Sequence, residues 1–168
     1  MKVMDAIVKE LSQEAATTRR LLERVPEEHF NWKPHQKSMS MQELASHVAH
    51  LVSWTGPALD LDVFQMGVAD SKPWRGDSKQ ALLDHFDEQV EMAREKMSGY
   101  PDEKLAEIWT LRTPDDKEFS FPRAVVVRSF ILNHLVHHRG QLSVYLRLRD
   151  VPVPSIYGPS ADDPGPSA

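Results

Sequence analysis

The feature that most limits the fold is a long C-terminal stretch that is apolar on two sides of a helix. Pro122 suits the first turn of this helix, which is predicted to run to about Arg149 before Pro152 and Pro154 stop it. Its main inward strip is Val127, Phe130, Ile131, His134, His138, Gln141, Leu142 and Tyr145. A second strip is Leu132, Leu135, Val136 and Leu146. A helix with this much apolar surface lies at the centre of a fold or contacts a second subunit.

Three further segments have apolar residues at helical spacing. The first helix is predicted from Met1 to about Arg24, where Pro26 ends it. The second is predicted from Met41, directly after the cap residue of the capping box Ser40–Glu43, to about Trp54, with a possible continuation over residues 58–66. Ser78 is the predicted cap of the third helix, which ends near Gly99.

The segments between these helices are polar or rich in proline and glycine. Residues 27–40 are predicted to form a loop anchored by Phe30, Trp32 and Pro34, and residues 67–77 a second loop. Residues 101–121 are the least regular, with a short extended segment at 109–113 and a turn at 115–117. The pattern predicts an all-α fold, a four-helix bundle with long loops after helices 1 and 3. Such loops leave room for crossovers, so the helix order in space stays open.

Length and composition limit the class of protein. The 168 residues suffice for one domain, predicted over residues 1–162, with a disordered tail at 163–168 that is rich in Pro, Ser, Gly and Asp. The net charge of −5, without a basic run, argues against a nucleic-acid partner. No apolar run approaches the roughly 20 residues of a membrane span, and the charged N-terminus is unlike a signal peptide. The absence of cysteine excludes disulfides and cysteine ligands and fits a cytoplasmic protein.

The histidines carry the strongest chemical signal. His134 and His138 lie four apart, on one face of the fourth helix, and as a pair they fit a metal site or a satisfied core equally well. His47 lies on the inward face of the second helix. Each of three buried imidazoles must find a hydrogen-bond partner, because without one its burial costs about a few kcal/mol. The set therefore favours a metal site over a polar core network.

Several neighbours of these histidines have weaker predicted roles. Three protein ligands leave at least one coordination position open, as in catalytic sites, and Zn, Ni, Cu and Fe(II) all accept imidazole. His50 and His137 lie a quarter turn off the inward strips and are predicted to be flanking residues or hydrogen-bond partners of the metal ligands. Arg139 is predicted at the surface or a subunit interface, and Gly140 at a close helix approach. Gln141 and Tyr145 fit either a cavity wall beside the metal or ordinary polar core positions.

Four motifs, in order along the chain, resemble the DinB family of the DinB/YfiT-like metalloenzymes. They are Phe30–Pro34, Ser38–His47, Asn133–Leu142 and Val153–Ser160. The resemblance implies a four-helix bundle of the DinB/YfiT type, with His47 on the second helix and the His134/His138 pair on the fourth as metal ligands. It also implies zinc or nickel as the ion and a homodimer as the assembly.

The resemblance extends to function less specifically. Related branches include transferases that conjugate low-molecular-weight bacterial thiols and a thiol-dependent isomerase. It implies a metal-dependent thiol S-transferase that joins a thiol cofactor to a small electrophilic substrate. A hydrolase that uses metal-bound water is an alternative, in which His50 or His137 would have to be the base. A non-catalytic dimer that binds a metal or small molecule is another. No catalytic residue beyond the ligands is identified.

Overall fold

The computed structural model describes residues 2–67 and 73–165, most of which are helical. The helices are α1 (Val3–Leu22), α2 (Met41–His50), α3 (Thr55–Asp60), α4 (Lys79–Met97), α5 (Arg123–Val125) and α6 (His134–Arg147). A π-helical segment, Val126–Asn133, joins α5 to α6. Short 3-10 turns cover Glu27–His29, Leu51–Trp54 and Asp102–Ala106. The strands are β1 (Val63–Gln65), β2 (Ile108–Arg112) and β3 (Glu118–Pro122). The predicted loop over 67–77 includes residues 68–72, which lie outside the described residues.

The long helices pack around one apolar core. Both α1 and α2 contact α4 and α6. The buried strip of α1 follows the predicted helical spacing and consists of Met4, Leu11, Ala15, Thr18, Leu21 and Leu22. That of α4 is Leu82, Leu83, Phe86, Gln89, Ala93 and Met97. The inward faces of these helices are therefore those that the sequence predicts.

The predicted helix ends are confirmed where a cap fixes them. Ser40 accepts a hydrogen bond from the Glu43 N–H, while the Glu43 carboxylate accepts one from the Ser40 N–H, which completes the capping box of α2. The Ser78 hydroxyl accepts the Ala81 N–H at the start of α4. Gly99 follows α4 with φ of +75°, the left-handed conformation that glycine adopts readily.

The second helical segment is shorter than predicted. Helix α2 ends at His50, and the chain continues through a 3-10 turn at Leu51–Trp54 into the short helix α3. Pro57 lies in the first turn of α3. An N–H group in a first turn has no partner within the helix, so the missing N–H of proline costs no hydrogen bond there. The possible continuation over residues 58–66 is not found beyond Asp60, because Val63–Gln65 is a strand.

A three-stranded sheet makes the all-α prediction wrong in part. Strand β2 pairs with β3 in antiparallel fashion and with β1 in parallel, and Asp116, with φ of 58°, lies in the turn between β2 and β3. Trp109 and Leu111 alternate along β2 and are buried, and the Trp109 indole N–H donates to the Pro57 carbonyl. The extended segment at 109–113 is thus confirmed. The pairing with β1 joins residues distant in sequence, which local periodicity cannot show.

The side chain of Arg139 is buried, so the predicted surface or interface position is wrong. Only 1% of the residue is exposed. Its guanidinium forms an ion pair with Glu14 at 2.6 Å and donates to the Thr18 hydroxyl, which ties α6 to α1. The aromatic ring of Tyr157 covers it, and the Tyr157 hydroxyl donates to Glu14. A charge on the far side of a central helix can thus be internal when a neighbouring helix supplies the opposite charge.

Two other predicted contacts differ from the structure. A Cβ built on Gly140 would meet no atom within 4 Å among the described residues, so the predicted close helix approach is absent from the protomer. Of the predicted loop anchors, Phe30 is buried and Trp32 is partly buried, but Pro34 is exposed. The Trp32 ring contacts the Tyr145 ring edge-on, with 5.6 Å between the ring centroids.

The C-terminal segment contacts α1, because the Arg20 guanidinium donates to the Ser155 carbonyl, and it also folds back on itself. Asp162 accepts a hydrogen bond from the Val153 N–H, and Asp163 accepts one from the Ser155 N–H. Residues 166–168 of the predicted tail lie outside the described residues, and the predicted domain bounds stay predictions. Among the residues that the structure describes, no helix has both the length and the apolar character needed to cross a membrane.

Candidate metal centre

The π-helical segment Val126–Asn133 leads directly into α6. Its buried residues fall in two pairs five positions apart: Val126 with Ile131, and Val127 with Leu132. This spacing matches the wider i→i+5 turn of a π-helix, a form that is frequent at functional sites. Helix α6 then begins at His134, and its first two turns carry His134 and His138 half-buried on the face toward α2.

His47 approaches the same point from α2. The capping box fixes where this helix begins, and the buried residues Leu44 and Val48 fix its rotation. His47 therefore projects from the inward side of α2 and is half-buried. The three histidines selected from the sequence are brought together by two helices that lie far apart in the chain.

The three imidazoles converge through their Nε2 atoms. The Nε2 atom of His134 lies 2.9 Å from that of His138 and 3.4 Å from that of His47. One candidate ligand atom from each of the three residues lies within 4.8 Å of the others. Nitrogens bound to one tetrahedral ion at 2.0–2.1 Å are about 3.3 Å apart, so the cluster could hold a metal ion.

The hydrogen-bonding capacity of imidazole supports the same conclusion. Each neutral ring has one N–H donor and one acceptor nitrogen, so three Nε2 atoms that face one another cannot all be satisfied among themselves. A cation between them would interact with all three lone pairs at once. The residues present therefore fit a divalent metal ion.

Burial keeps these imidazoles neutral near pH 7, the form that binds metals. Burial, with a smaller contribution from the neighbouring imidazoles, lowers the pKa of His47 to about 4. Burial also lowers the pKa values of His134 and His138. Protons therefore compete weakly with a metal for all three nitrogens.

Gln141 fixes the orientation of His138. The His138 Nδ1 atom lies 2.7 Å from the Gln141 Oε1 atom, so the Nδ1–H donates there and Nε2 keeps its lone pair. The amide of Gln141 in turn donates to His137 Nε2 over 3.1 Å. For His134, a hydrogen bond with the Phe130 backbone opposes the lowering of its pKa. His137 is thus linked to the cluster through Gln141 and does not join it.

His50 belongs to a second group of rings beside the cluster. Its Nδ1 atom is 3.0 Å from His85 Nε2, and its Nε2 atom is 3.2 Å from the Ser53 hydroxyl. The Trp74 indole stacks on His85 with 3.8 Å between the ring centroids. Sequence reasoning missed His85 and Trp74, because one lies off the apolar strip of α4 and the other in a loop. No local pattern indicated that they would meet His50.

A cavity of about 570 Å³ gives access to the cluster at His47. Its wall is formed by Met39, Glu43, Ser46, His47, His50, Pro73, Trp74 and Arg75. A second, more open cavity of about 420 Å³ is lined on α6 by Gln141 and Tyr145. The wall of this second cavity includes none of the three histidines, so it does not match the predicted cavity wall beside the metal. A small molecule could reach His47 through the larger cavity.

Comparison with known proteins agrees with this fold. The model of the DinB family matches residues 1–166. The uncharacterized protein YjoA of Bacillus subtilis is 26% identical over 133 residues, which are 77% of this chain and 80% of that protein. A DinB-like protein from Bacillus cereus has a similar structure, with a TM-score of 0.69 at 19% identity, over 91% of this chain and 97% of that one. The YjoA structure gives a TM-score of 0.64 at 18% identity, over 86% of this chain and 92% of that one. With its fold and a family match over nearly its whole length, the chain belongs to the DinB family.

Proposed function

We propose that this DinB-family protein binds one divalent metal ion through the Nε2 atoms of His47, His134 and His138. The convergence of these three atoms is the observation that carries the proposal. Zinc and nickel are the ions proposed, because the resemblance to the DinB family implies them and both accept neutral imidazole. The helical segments that supply the ligands would form the four-helix bundle of the DinB/YfiT type.

The reaction proposed is the transfer of a small electrophile to a low-molecular-weight thiol. When bound, the metal ion lowers the pKa of a coordinated thiol and so favours the thiolate nucleophile. The thiol sulfur forms the new carbon–sulfur bond as the leaving group departs with the bonding electron pair, and the thiol proton passes to solvent. The chain contributes three neutral ligands and a cavity at His47 that holds the electrophile beside them.

The groups around the cavity favour thiol transfer over hydrolysis. A hydrolase needs a free base, but both ring nitrogens of His50 are already engaged, with His85 and Ser53. A hydrogen bond from the Ser40 N–H lowers the pKa of Glu43, which makes this carboxylate a weaker base. A thiol ionises more readily than water, so its reaction depends less on such a base.

The test combines metal analysis with turnover. The purified protein is loaded with zinc or nickel, and its metal content is measured with the consumption of 1-chloro-2,4-dinitrobenzene by each common bacterial thiol. Turnover with at least one thiol is expected, and His134→Gln should lose both metal and turnover. Bound metal without turnover with any thiol would refute the transferase and leave a metal-binding protein. Failure to bind either metal would refute the whole proposal.

A further inference from the structure

Three aromatic rings lie together beside the cavity at His47, and two of them, those of His50 and Trp74, form part of its wall. The Trp74 and His85 rings are nearly parallel, at 11°, and those of His85 and His50 differ by 21°. The short contact between the nitrogens of His50 and His85 joins these two rings edge to edge, so the stacked Trp74 covers His85. Because both nitrogens of His50 are engaged, this residue has no free ring nitrogen to offer a substrate. The wall can therefore contribute planar, apolar contacts.

The end of the loop that carries Trp74, residues 73–77, is held to α2 through the backbone of Gly76. Gln42 donates from its amide to the Gly76 carbonyl over 2.7 Å, and the Gly76 N–H donates to the Ser46 hydroxyl over 3.1 Å. A Cβ at Gly76 would lie 2.8 Å from the side chain of Leu82, so the loop packs closely against α4. These contacts fix the positions of Trp74 and Arg75 without any ligand, and the wall is preorganised for binding.

The rim of the same cavity has an excess of positive charge. The Glu43 carboxylate lies 3.9 Å from the Arg75 guanidinium and 3.7 Å from the Lys33 ammonium group, so one anion faces two cations. Arg75 also contacts the side-chain oxygen of Gln42, and about half of its side chain is exposed (49%). A guanidinium has five N–H donors, so Arg75 retains donors for a ligand anion.

We infer that the cavity binds a planar aromatic electrophile with an anionic substituent, its ring on Trp74 and its anion on Arg75. This inference rests on the proposed function, because the electrophile is the substrate that would occupy the cavity during thiol transfer. Met39 and Pro73 complete the apolar surface around the ring. The two contacts are separate, so each can be removed without the other.

The inference can be tested by binding alone, without turnover. Calorimetry on the zinc-loaded protein would compare 3-nitrobenzoate with nitrobenzene, which lacks the anion, and with cyclohexanecarboxylate, which lacks the flat ring. We expect 3-nitrobenzoate to bind about fivefold more tightly than either of the others. Equal binding of all three probes would overturn the inference.

Two substitutions should remove these preferences separately. Arg75→Gln should abolish the advantage of 3-nitrobenzoate over nitrobenzene, whereas Trp74→Leu should abolish its advantage over cyclohexanecarboxylate. Trp74→Phe retains an aromatic plane and should retain most of that advantage, so it tests the ring contact even if Trp74→Leu fails to fold. The matched control is Arg94→Gln, because Arg94 is an equally exposed arginine on α4 (50%) outside the cavity wall. It should bind all three probes as the unchanged protein does.

The outcomes separate this inference from the proposed function. A carboxylate that bound only at the metal would bind Arg75→Gln unchanged, and that result would refute the role of Arg75. Selective binding of 3-nitrobenzoate by a protein without thiol turnover would refute the transferase but support the ligand class. Thiol turnover together with unaltered binding by Trp74→Leu and Trp74→Phe would refute the role of Trp74 and leave the transferase intact.

Discussion

At the scale of single residues, the proposed metal centre would depend on side chains that do not touch the ion. Gln141 accepts the Nδ1–H of His138, which leaves the Nε2 lone pair directed at the other two imidazoles. A tautomer that is fixed in advance needs no rearrangement before the metal binds, and such outer hydrogen bonds raise metal affinity.

Substitution of Gln141 should therefore weaken the site without removing a ligand. Gln141→Leu is expected to lower zinc affinity by about 10- to 100-fold, as measured by competition with a chromogenic chelator. Gln13→Leu is a suitable control, because Gln13 is an exposed glutamine on α1. If both variants bind zinc as tightly as the unchanged protein, Gln141 has no orienting role.

The depressed pKa of His47 makes the stability of the metal-free protein depend on pH. The ordinary pKa of histidine is near 6.5, and burial lowers that of His47 to about 4, so the unfolded chain binds the proton more tightly. Stability present above pH 6.5 is thus lost as the pH falls toward 4, with a slope of up to about 1.4 kcal/mol per pH unit for one proton. Urea unfolding between pH 4 and 7.5 measures this slope.

The slope should be smaller in His47→Gln. Burial also lowers the pKa values of His50, His85, His134 and His138, so part of the dependence should remain. An identical slope in His47→Gln and in the unchanged protein would contradict the assigned pKa of His47.

At the scale of secondary-structure elements, the sequence predicted the inward faces of the long helices better than their ends or contacts. Capping chemistry at Ser40 and Ser78 is local, so both helix starts could be predicted. The π-helical segment could not be predicted, because over a short stretch its five-residue spacing resembles ordinary helical spacing. Strand β1 was also missed, since its pairing with β2 depends on residues far along the chain.

The Arg139–Glu14 pair is the buried electrostatic link between two of these elements. Arg139→Met leaves Glu14, which is 13% exposed, without its cationic partner, and should lower the free energy of unfolding by about 3–5 kcal/mol. Arg147 lies on the same helix as Arg139 and forms an exposed pair with Asp162 of the C-terminal segment. Arg147→Met should lower the free energy of unfolding by about 1 kcal/mol or less. Urea unfolding at pH 7.5 compares the two variants. Equal, small effects would show that the buried pair does not stabilise the fold.

At the scale of the whole molecule, the site forms where α2 meets α6. The sequence could identify His47, His134 and His138, because each lies on a predicted inward face and a metal site needs several ligands. It could not identify the group of Trp74, His85 and His50, since only the folded chain brings these rings together. The three histidines were predictable from helical periodicity, whereas the cavity that would select a substrate was not.

The central claim is that one metal ion links α2 to α6 through these three histidines. X-ray absorption of the zinc-loaded protein, combined with zinc analysis, tests it most directly. We expect one zinc ion per chain with three imidazole nitrogens at about 2.0–2.1 Å, and loss of zinc in His47→Gln, His134→Gln and His138→Gln. His35→Gln, which changes an exposed histidine in a loop, should keep its zinc. Full zinc occupancy in the three ligand variants, or a spectrum without imidazole, would contradict the claim.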